Sequence, residues 1–212
     1  MRIFGIDPGS ERTGFGCVET DGRRHRLVAC GAIVAAAGDT FPHRLARIHR
    51  ELTAQLLTCR PDCVAIENLF HANNARSALK LGHARGVAML AAIEAGCDIV
   101  EYTPAEVKRA VVGYGRAEKH QVQQMITLIL GLERAPKPFD VSDALAVAIC
   151  HLHTMSPVTK ALKADGKANR QADLKVGPHD ASRSRSRREG VGAGLQAGLP
   201  KTWRKYRPPS AG

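Results

Sequence analysis

Three features that would place this 212-residue chain outside the cell or in a membrane are missing from it. The six cysteines include no C-x-x-C pair and no paired spacing typical of zinc ligands, and Cys59 and Cys63, four residues apart, fit small apolar side chains better than metal ligands. No apolar stretch reaches the roughly 18 residues that a membrane span needs. The N-terminal methionine leads straight into an apolar segment and not into a secretory leader. We therefore expect a reduced, cytoplasmic protein with no membrane-bound part.

Acidic residues are scarce in only one part of the chain. Residues 1–155 carry 18 Lys and Arg against 16 Asp and Glu, whereas residues 156–212 carry 13 against 4. A nearly neutral domain followed by a polycation is typical of a protein that binds nucleic acid, although a solvated tail without a partner has the same composition.

Apolar residues also thin out beyond Thr154, where a Ser-Arg run at 182–188 is followed by a glycine-rich stretch. This composition buries too little surface to offset the entropy of ordering it, so we predict a folded domain at 1–155 and a disordered basic tail at 156–212. Trp203 and Tyr206, set among lysines and arginines, would suit stacking on bases, or have no role.

The order of the predicted elements describes an α/β domain. Three short strands joined by tight turns predict an antiparallel meander, and they are expected near residues 3–6, 17–19 and 26–36. Alternating helices and strands follow, with strands at 63–66 and 98–102 and helices near 40–59, 73–95, 104–112, 117–130 and 140–153. We predict a five-stranded mixed sheet with helices on both faces.

Two sets of glycines have a predicted role. Those that follow Asp7 in the first hairpin are expected to let a ligand approach the backbone closely. On the long helix at 73–95, Ala78, Gly82 and Gly86 fall on one stripe. This stripe predicts close approach by another backbone, which is either the domain's own sheet or a second subunit.

Four carboxylates stand at the ends of predicted core elements. Asp7 ends the first strand, Glu67 ends the fourth, and Asp140 and Asp143 open the last helix one turn apart. Because the first and fourth strands are expected to be neighbours, Asp7 and Glu67 would emerge side by side. Crowded oxygen ligands without His or Cys predict Mg²⁺ or Mn²⁺, and two such ions can hydrolyse a phosphodiester.

Each carboxylate also has an ordinary interpretation. Asp7 opens a favoured Asp-Pro-Gly turn, Asp140 would serve as an N-cap, and Asp143 would suit the helix dipole in the first turn. Glu67 would simply be solvated at a strand end. The set as a whole favours a metal site.

The chain resembles the RuvC family of bacterial Holliday-junction resolvases in several ordered segments. Its opening motif is Gly5-Ile6-Asp7-Pro8-Gly9-Ser10 with Thr13-Gly14. The other similar segments are residues 65–70, residues 74–88, Lys108 with residues 111–113, residues 118–119 and residues 140–146. Together they span roughly residues 1–153, and residues 156–212 have no counterpart in the resemblance.

The resemblance implies a ribonuclease-H-like fold and a homodimer that nicks two opposed strands of a four-way DNA junction in recombination and repair. It implies two Mg²⁺ ions, with Mn²⁺ as a substitute, held by Asp7, Glu67, Asp140 and Asp143, and partnership with the branch-migration proteins RuvA and RuvB. It further implies that Phe70 contacts bases and that Lys108 and Lys119 assist at the phosphate. From the residues alone, Phe70 fits a core position as well, and the lysines fit cations placed for a developing anion.

Three other functions share some of these features. A junction-binding module without cleavage would not need four carboxylates. An actin-like phosphotransferase has a similar Gly-Ile-Asp-x-Gly turn, but this chain lacks the length and the second phosphate loop of that fold. A ribonuclease acting on RNA–DNA hybrids would share the fold and metals, so only competition between substrates distinguishes it.

Overall fold

The structure, a computed structural model, describes residues 1–36, 38–68 and 74–155. Phe70 and the predicted basic tail 156–212 lie outside these residues. The described elements are β1 (Arg2–Asp7), β2 (Arg12–Thr20), β3 (His25–Val34), α1 (Phe41–Cys59), β4 (Cys63–Glu67), α2 (Ala75–Glu94), β5 (Asp98–Tyr102), α3 (Pro104–Val112), α4 (Lys119–Ile129) and α5 (Phe139–Thr154).

The five strands form one mixed sheet in the order β3-β2-β1-β4-β5. The first three strands pair antiparallel, whereas β4 pairs parallel to both β1 and β5. The predicted sheet and the adjacency of the first and fourth strands are confirmed. None of the helices in the described residues is both long and apolar enough to cross a membrane.

Side chains of the central strand alternate between two apolar layers. Phe4 and Ile6 of β1 pack in the layer covered by α1 and α2, and Ile3 packs in the layer formed with α3, α4 and α5. Because strand side chains alternate, Asp7 falls on the same face as Ile3. The same parity on β4 places Glu67 with Cys63 and Ala65, on the α5 side. Two carboxylates thus emerge together beneath α5.

Helix α5 rests directly on the backbone of β1 and β2, where glycines leave room for it. A Cβ atom on Gly5 would lie 1.9 Å from the carbonyl oxygen of Ala144, and one on Gly14 would lie 2.0 Å from that of Asp140. A Cβ on Gly16 would lie 2.5 Å from Leu145 Cδ2. The expectation that these hairpin glycines admit a ligand is therefore wrong for Gly14 and Gly16, because the space beside them belongs to α5.

Replacing Gly5 with Ala is expected to lower the free energy of unfolding by about 3 kcal/mol, since one methyl group must push two packed backbones apart. Urea denaturation followed by circular dichroism measures the change. Gly115→Ala is the matched control, because a Cβ there would meet its nearest atom, the Ala105 oxygen, at an ordinary 3.4 Å. Equal stability of the two variants would contradict this account of the α5 contact.

The glycine stripe of α2 does not face the sheet. Helix α2 packs inward through small residues on a different face, namely Ala84, Ala88, Ala91 and Ala92. A Cβ atom on Gly82 or Gly86 would meet no atom within 4 Å. The alternative of close approach by the domain's own sheet is therefore wrong, and a second subunit remains the alternative that the stripe predicts.

Candidate active site

The turn after β1 is held by one buried threonine. The Thr13 hydroxyl donates a hydrogen bond to the Gly9 carbonyl (2.8 Å) and accepts one from the Gly9 N–H (3.3 Å). A side chain at Gly9 would collide with the Arg12 carbonyl at 2.2 Å, so glycine is required there. The Pro-Gly motif and the following Thr-Gly thus close a tight loop that ends β1 at Asp7, the residue paired with Gly14 across the hairpin.

Asp7 and Glu67 are the last residues of two neighbouring parallel strands. The strands pair through Ile6 and Ile66, immediately before the two carboxylates. The Asp7 and Glu67 carboxyls also lie close enough for each to alter the pKa of the other. Glu67 is partly buried and its neighbours are charged, so the interpretation that it is simply solvated does not hold.

Burial and the charge of nearby carboxylates raise the pKa of both strand-end carboxyls. The pKa of Asp7 rises to about 8, chiefly because of burial and then because of the charges of Glu67, Asp143 and Asp140. The pKa of Glu67 is also raised, by burial first and by Asp143 second. Without a cation in the site, the pair therefore retains a proton at neutral pH. Such perturbed carboxyls in a cleft are typical of functional sites.

Asp143 joins this pair from α5. Its Oδ2 accepts a 2.9 Å hydrogen bond from the ammonium of Lys119, the first residue of α4, and the pKa of Lys119 is raised by that bond. The positive charge of Lys119 in turn offsets part of the rise in the pKa of Asp7 and Glu67. These four side chains border a hollow of about 260 Å³, which is lined by Asp7, Glu67, Pro104, Val107, Lys108, Lys119, Val122, Asp143 and Ala146.

Asp140 lies at the edge of this group. Its backbone packs on Gly14, beside Asp7, but its Oδ2 faces Arg12 Nη1 at 3.4 Å. It lines a separate polar hollow that also includes Arg12 and Arg44. Asp140 is not an N-cap, because α5 begins one residue earlier and Pro138 occupies the cap position. The structure therefore gathers Asp7, Glu67 and Asp143 with both predicted lysines, and sets Asp140 next to them.

Arg12 is a charged neighbour of the carboxylates that the motif analysis missed. It is the first residue of β2, just beyond the turn that follows Asp7. The sequence position of Arg12 could have indicated this, because Arg12 lies two residues before Gly14, the hairpin partner of Asp7. That pairing brings a cation at position 12 to the end of the sheet where the carboxylates collect.

The donor set fits a hard divalent cation. Every anionic group in the cluster is a carboxylate, the ligand type that Mg²⁺ and Mn²⁺ prefer. Repulsion among these groups is what a cation would relieve. Within residues 1–36, 38–68 and 74–155, no three His, Cys, Asp or Glu side chains are arranged to hold a metal ion as they stand. Asp143 is instead paired with Lys119 and Asp140 with Arg12.

Comparison with known proteins identifies the family. The family model described as crossover junction endodeoxyribonuclease RuvC matches residues 3–151. The chain belongs to the RuvC family. A RuvC from Koribacter versatilis is 54% identical over 161 residues, which cover 76% of this chain and 97% of that protein. The resemblance drawn from the motifs is thereby confirmed, and RuvC proteins are crossover junction endodeoxyribonucleases.

Solved structures of the family agree with the fold. Thermus thermophilus RuvC is 36% identical, with a TM-score of 0.67 over 72% of this chain and 94% of that one. The same protein in complex with a Holliday junction substrate is 34% identical, with the same TM-score and coverage. The predicted ribonuclease-H-like fold is confirmed. RuvC membership also implies a metal-dependent nuclease, in keeping with the carboxylate donor set.

Proposed function

We propose that this chain resolves four-way DNA junctions in recombination and repair by hydrolysing one phosphodiester in each of two opposed strands. The observation that carries the proposal is the convergence of Asp7, Glu67 and Asp143 with Lys108 and Lys119 around one hollow. The chain shares this architecture with a relative that is described with a Holliday junction as its substrate. The substrate is therefore expected to be branched DNA.

The carboxylates Asp7, Glu67, Asp143 and Asp140 would hold Mg²⁺, two ions per site, with Mn²⁺ as a substitute. When bound, such ions activate water and stabilise the leaving oxygen of a phosphodiester. The chain's own residues orient these ligands: two strand ends and the first turns of one helix fix where the oxygens lie. The Lys108 and Lys119 ammonium groups are placed to stabilise the negative charge that develops on the scissile phosphate.

A nicking assay tests the proposal directly. The protein is incubated with a synthetic four-way junction, a matched linear duplex and a matched RNA–DNA hybrid, with and without Mg²⁺. Paired, symmetric, metal-dependent nicks in the junction alone are expected. Preferred cutting of the hybrid would assign a ribonuclease, and tight junction binding without any cutting would assign a binding module; either result would overturn the proposal.

Replacing Lys119 with Met is expected to slow junction cleavage about 100-fold, a typical effect of removing one charge-stabilising group. Because Lys119 lowers the pKa of Asp7 and Glu67, its loss raises both pKa values. The acidic limb of the pH–rate profile should therefore move to higher pH. Single-turnover rates between pH 5 and 9 measure both effects.

The control for Lys119→Met is Arg23→Ala, which removes an exposed cation in the turn between β2 and β3, at the opposite end of the sheet. It should leave the rate and the profile unchanged. If Lys119→Met slowed cleavage without moving the profile, the electrostatic coupling to the carboxyls would be wrong.

We also propose that two copies of the chain associate through the α2 stripe. The stripe residues Ala78, Gly82 and Gly86 border an apolar hollow of about 590 Å³, which is also lined by Leu79, His83, Val87 and Leu90. The Leu79 and Leu90 side chains are 64% and 51% exposed. A contiguous exposed apolar patch of this kind favours a partner surface, and a two-fold partner would supply the second, matched cut.

Replacing Gly82 with Arg is expected to produce a folded monomer, because open space surrounds Gly82 in the single chain. Light scattering after size-exclusion chromatography measures the mass, and the junction assay should show loss of paired nicks. Leu57→Arg is the control, since it places the same charge at a leucine of α1 that is 61% exposed. An unchanged oligomer in Gly82→Arg would place the subunit contact elsewhere.

Four further parts of the proposal concern Phe70, the tail, the place where the chain acts and its partner proteins. We propose that Phe70 contacts bases near the junction centre and that the tail 156–212 adds salt-sensitive contacts to phosphates beside the domain 1–155. We propose that the chain acts in the cytoplasm and works with the branch-migration proteins RuvA and RuvB. The charge distribution, with the positive excess in 156–212, supports the DNA contact of the tail.

A further inference from the structure

Two histidines from distant parts of the chain meet at the end of the fold opposite the carboxylates. His25 is the first residue of β3, and His153 lies in the last turn of α5. Their Nε2 atoms are 3.3 Å apart, and their ring centroids are 5.3 Å apart. His153 lies about 15 Å along α5 from Asp143, at the helical rise of 1.5 Å per residue. This pair is therefore separate from the nuclease site.

The spacing of the two Nε2 atoms matches that of two ligands on one metal ion. With metal–nitrogen bonds of about 2.0–2.1 Å and a tetrahedral angle, two imidazole nitrogens lie about 3.3 Å apart. The distance between the two Nε2 atoms therefore agrees with their binding to one ion.

The hydrogen bonds of the two rings place one shared hydrogen between the Nε2 atoms. His153 Nδ1 lies 2.9 Å from the Ala110 carbonyl oxygen, which only accepts, so Nδ1 carries the hydrogen and Nε2 presents a lone pair. An imidazole that donates its second N–H to a backbone carbonyl is the usual arrangement of a metal-bound histidine. His25 Nδ1 is buried without a hydrogen-bond partner in the described residues, so the hydrogen of the His25 ring lies on Nε2, from which it is donated to His153 Nε2.

We propose that His25 and His153 form a two-ligand site for a borderline transition-metal ion, of the class of Zn²⁺, Ni²⁺ or Cu²⁺. The ion takes the place of the single hydrogen between the two Nε2 atoms, and that hydrogen moves to Nδ1 of His25, so that both rings bind as neutral imidazoles. Imidazole nitrogen suits these ions, whereas Mg²⁺ prefers the oxygens of the carboxylate cluster. The two sites therefore select different metals.

The surroundings agree with a neutral, open site. Burial and the neighbouring His153 lower the pKa of His25, so the ring is neutral at physiological pH and able to ligate. His153 is exposed, so water reaches the ion. The described residues contain no third grouped ligand, and water fills the remaining positions. Binding is consequently weaker than at a four-ligand structural zinc site, and it ties the edge strand β3 to the end of α5.

Isothermal titration of the full chain, prepared without a histidine tag, with Ni²⁺ in excess Mg²⁺ tests the proposal. One Ni²⁺ per chain is expected, with affinity falling roughly tenfold or more in His25→Gln and in His153→Gln. His49→Gln is the control, because it removes a half-buried histidine of α1 that pairs with Glu94, away from the His25–His153 pair. Mg²⁺-dependent nicking should be unchanged in all three variants.

A spectroscopic measurement on the unaltered chain covers the case in which a variant fails to fold. Electron paramagnetic resonance of the Cu²⁺-loaded protein should show coupling to two imidazole nitrogens. Absence of binding, unchanged affinity in both histidine variants, or coupling to fewer than two nitrogens would each overturn the proposal.

Discussion

Asp7→Asn is expected to reduce junction cleavage at least 1000-fold while junction affinity changes no more than a few-fold. The substitution keeps the shape of the side chain but removes a charged oxygen from the centre of the cluster, where metal chemistry is proposed to act. Binding depends on phosphate contacts spread over the surface, so it survives. Cleavage kinetics and a gel-shift titration on the same junction measure the two effects.

The same variant should be more stable than the natural chain when metal is absent. The folded-state pKa of Asp7 is about 8 and the ordinary value is 3.8, so the folded chain binds more protons than the unfolded chain between these limits. Stability is therefore lost as pH rises from 3.8 through 8. Because Asn carries no charge at any pH, Asp7→Asn does not lose stability in this way. In chelator at pH 8.5, Asp7→Asn should melt several degrees above the natural chain, and near pH 3.5 the two should coincide.

Asp21→Asn is the matched control for Asp7→Asn. Asp21 is exposed in the turn before β3 and its carboxylate accepts hydrogen bonds from the backbone of Arg23 and Arg24. An Asn side chain can accept the same bonds. Cleavage by Asp21→Asn should be normal. Residual cleavage in Asp7→Asn together with lost binding, or a lower melting temperature at pH 8.5, would contradict the assigned role of Asp7.

The apparent affinity for Mg²⁺ is expected to rise about tenfold per pH unit between pH 5 and pH 8, and then to level off. The reason is that the ion must displace the proton held by the Asp7–Glu67 pair, whose pKa values are raised by burial and repulsion. Above pH 8 the proton is already gone. The change across the whole interval amounts to about 1000-fold.

Calorimetric titration with Mg²⁺ in two buffers of different ionisation enthalpy measures this linkage. The heats at pH 7 should show release of about one proton per chain. The same titration on Asp7→Asn should show weaker binding and a shallower dependence on pH. An affinity of the natural chain that is flat from pH 5 to 8 would mean that no shared proton occupies the carboxylate pair.

The sequence predicted the parts of this site that follow from strand periodicity. Apolar runs that end on Asp7 and Glu67, in strands expected to be neighbours, were enough to place the two carboxylates side by side. Placing both under the same helix required the alternation of side chains along β1 and β4. These are short-range rules, and they hold wherever one face of a strand is buried.

The parts that the sequence did not predict depend on contacts through space. The direction of the Asp140 side chain depends on Arg12, a cation more than a hundred positions away along the chain. The ion pair of Lys119 and Asp143 depends on how α4 lies against α5. Gly14 and Gly16 were assigned to a ligand because the sequence contains no sign of which element crosses the hairpin. Hydrophobic periodicity in a sequence indicates which residues are buried, but it does not indicate which element packs against them.

The contact of α5 with the glycines of β1 and β2 also affects the distance between the Asp7 and Asp143 carboxylates. Asp7 belongs to the strand layer and Asp143 to the helix layer, so the gap between their oxygens is set by how closely two peptide backbones approach. Repulsion between backbone atoms rises steeply, so this gap resists compression far more than a contact between flexible side chains would. Paired catalytic ions work at a separation of about 3.5–4 Å. If two ions bind as proposed, the close backbone contact at Gly5, Gly14 and Gly16 would limit how far their separation can vary.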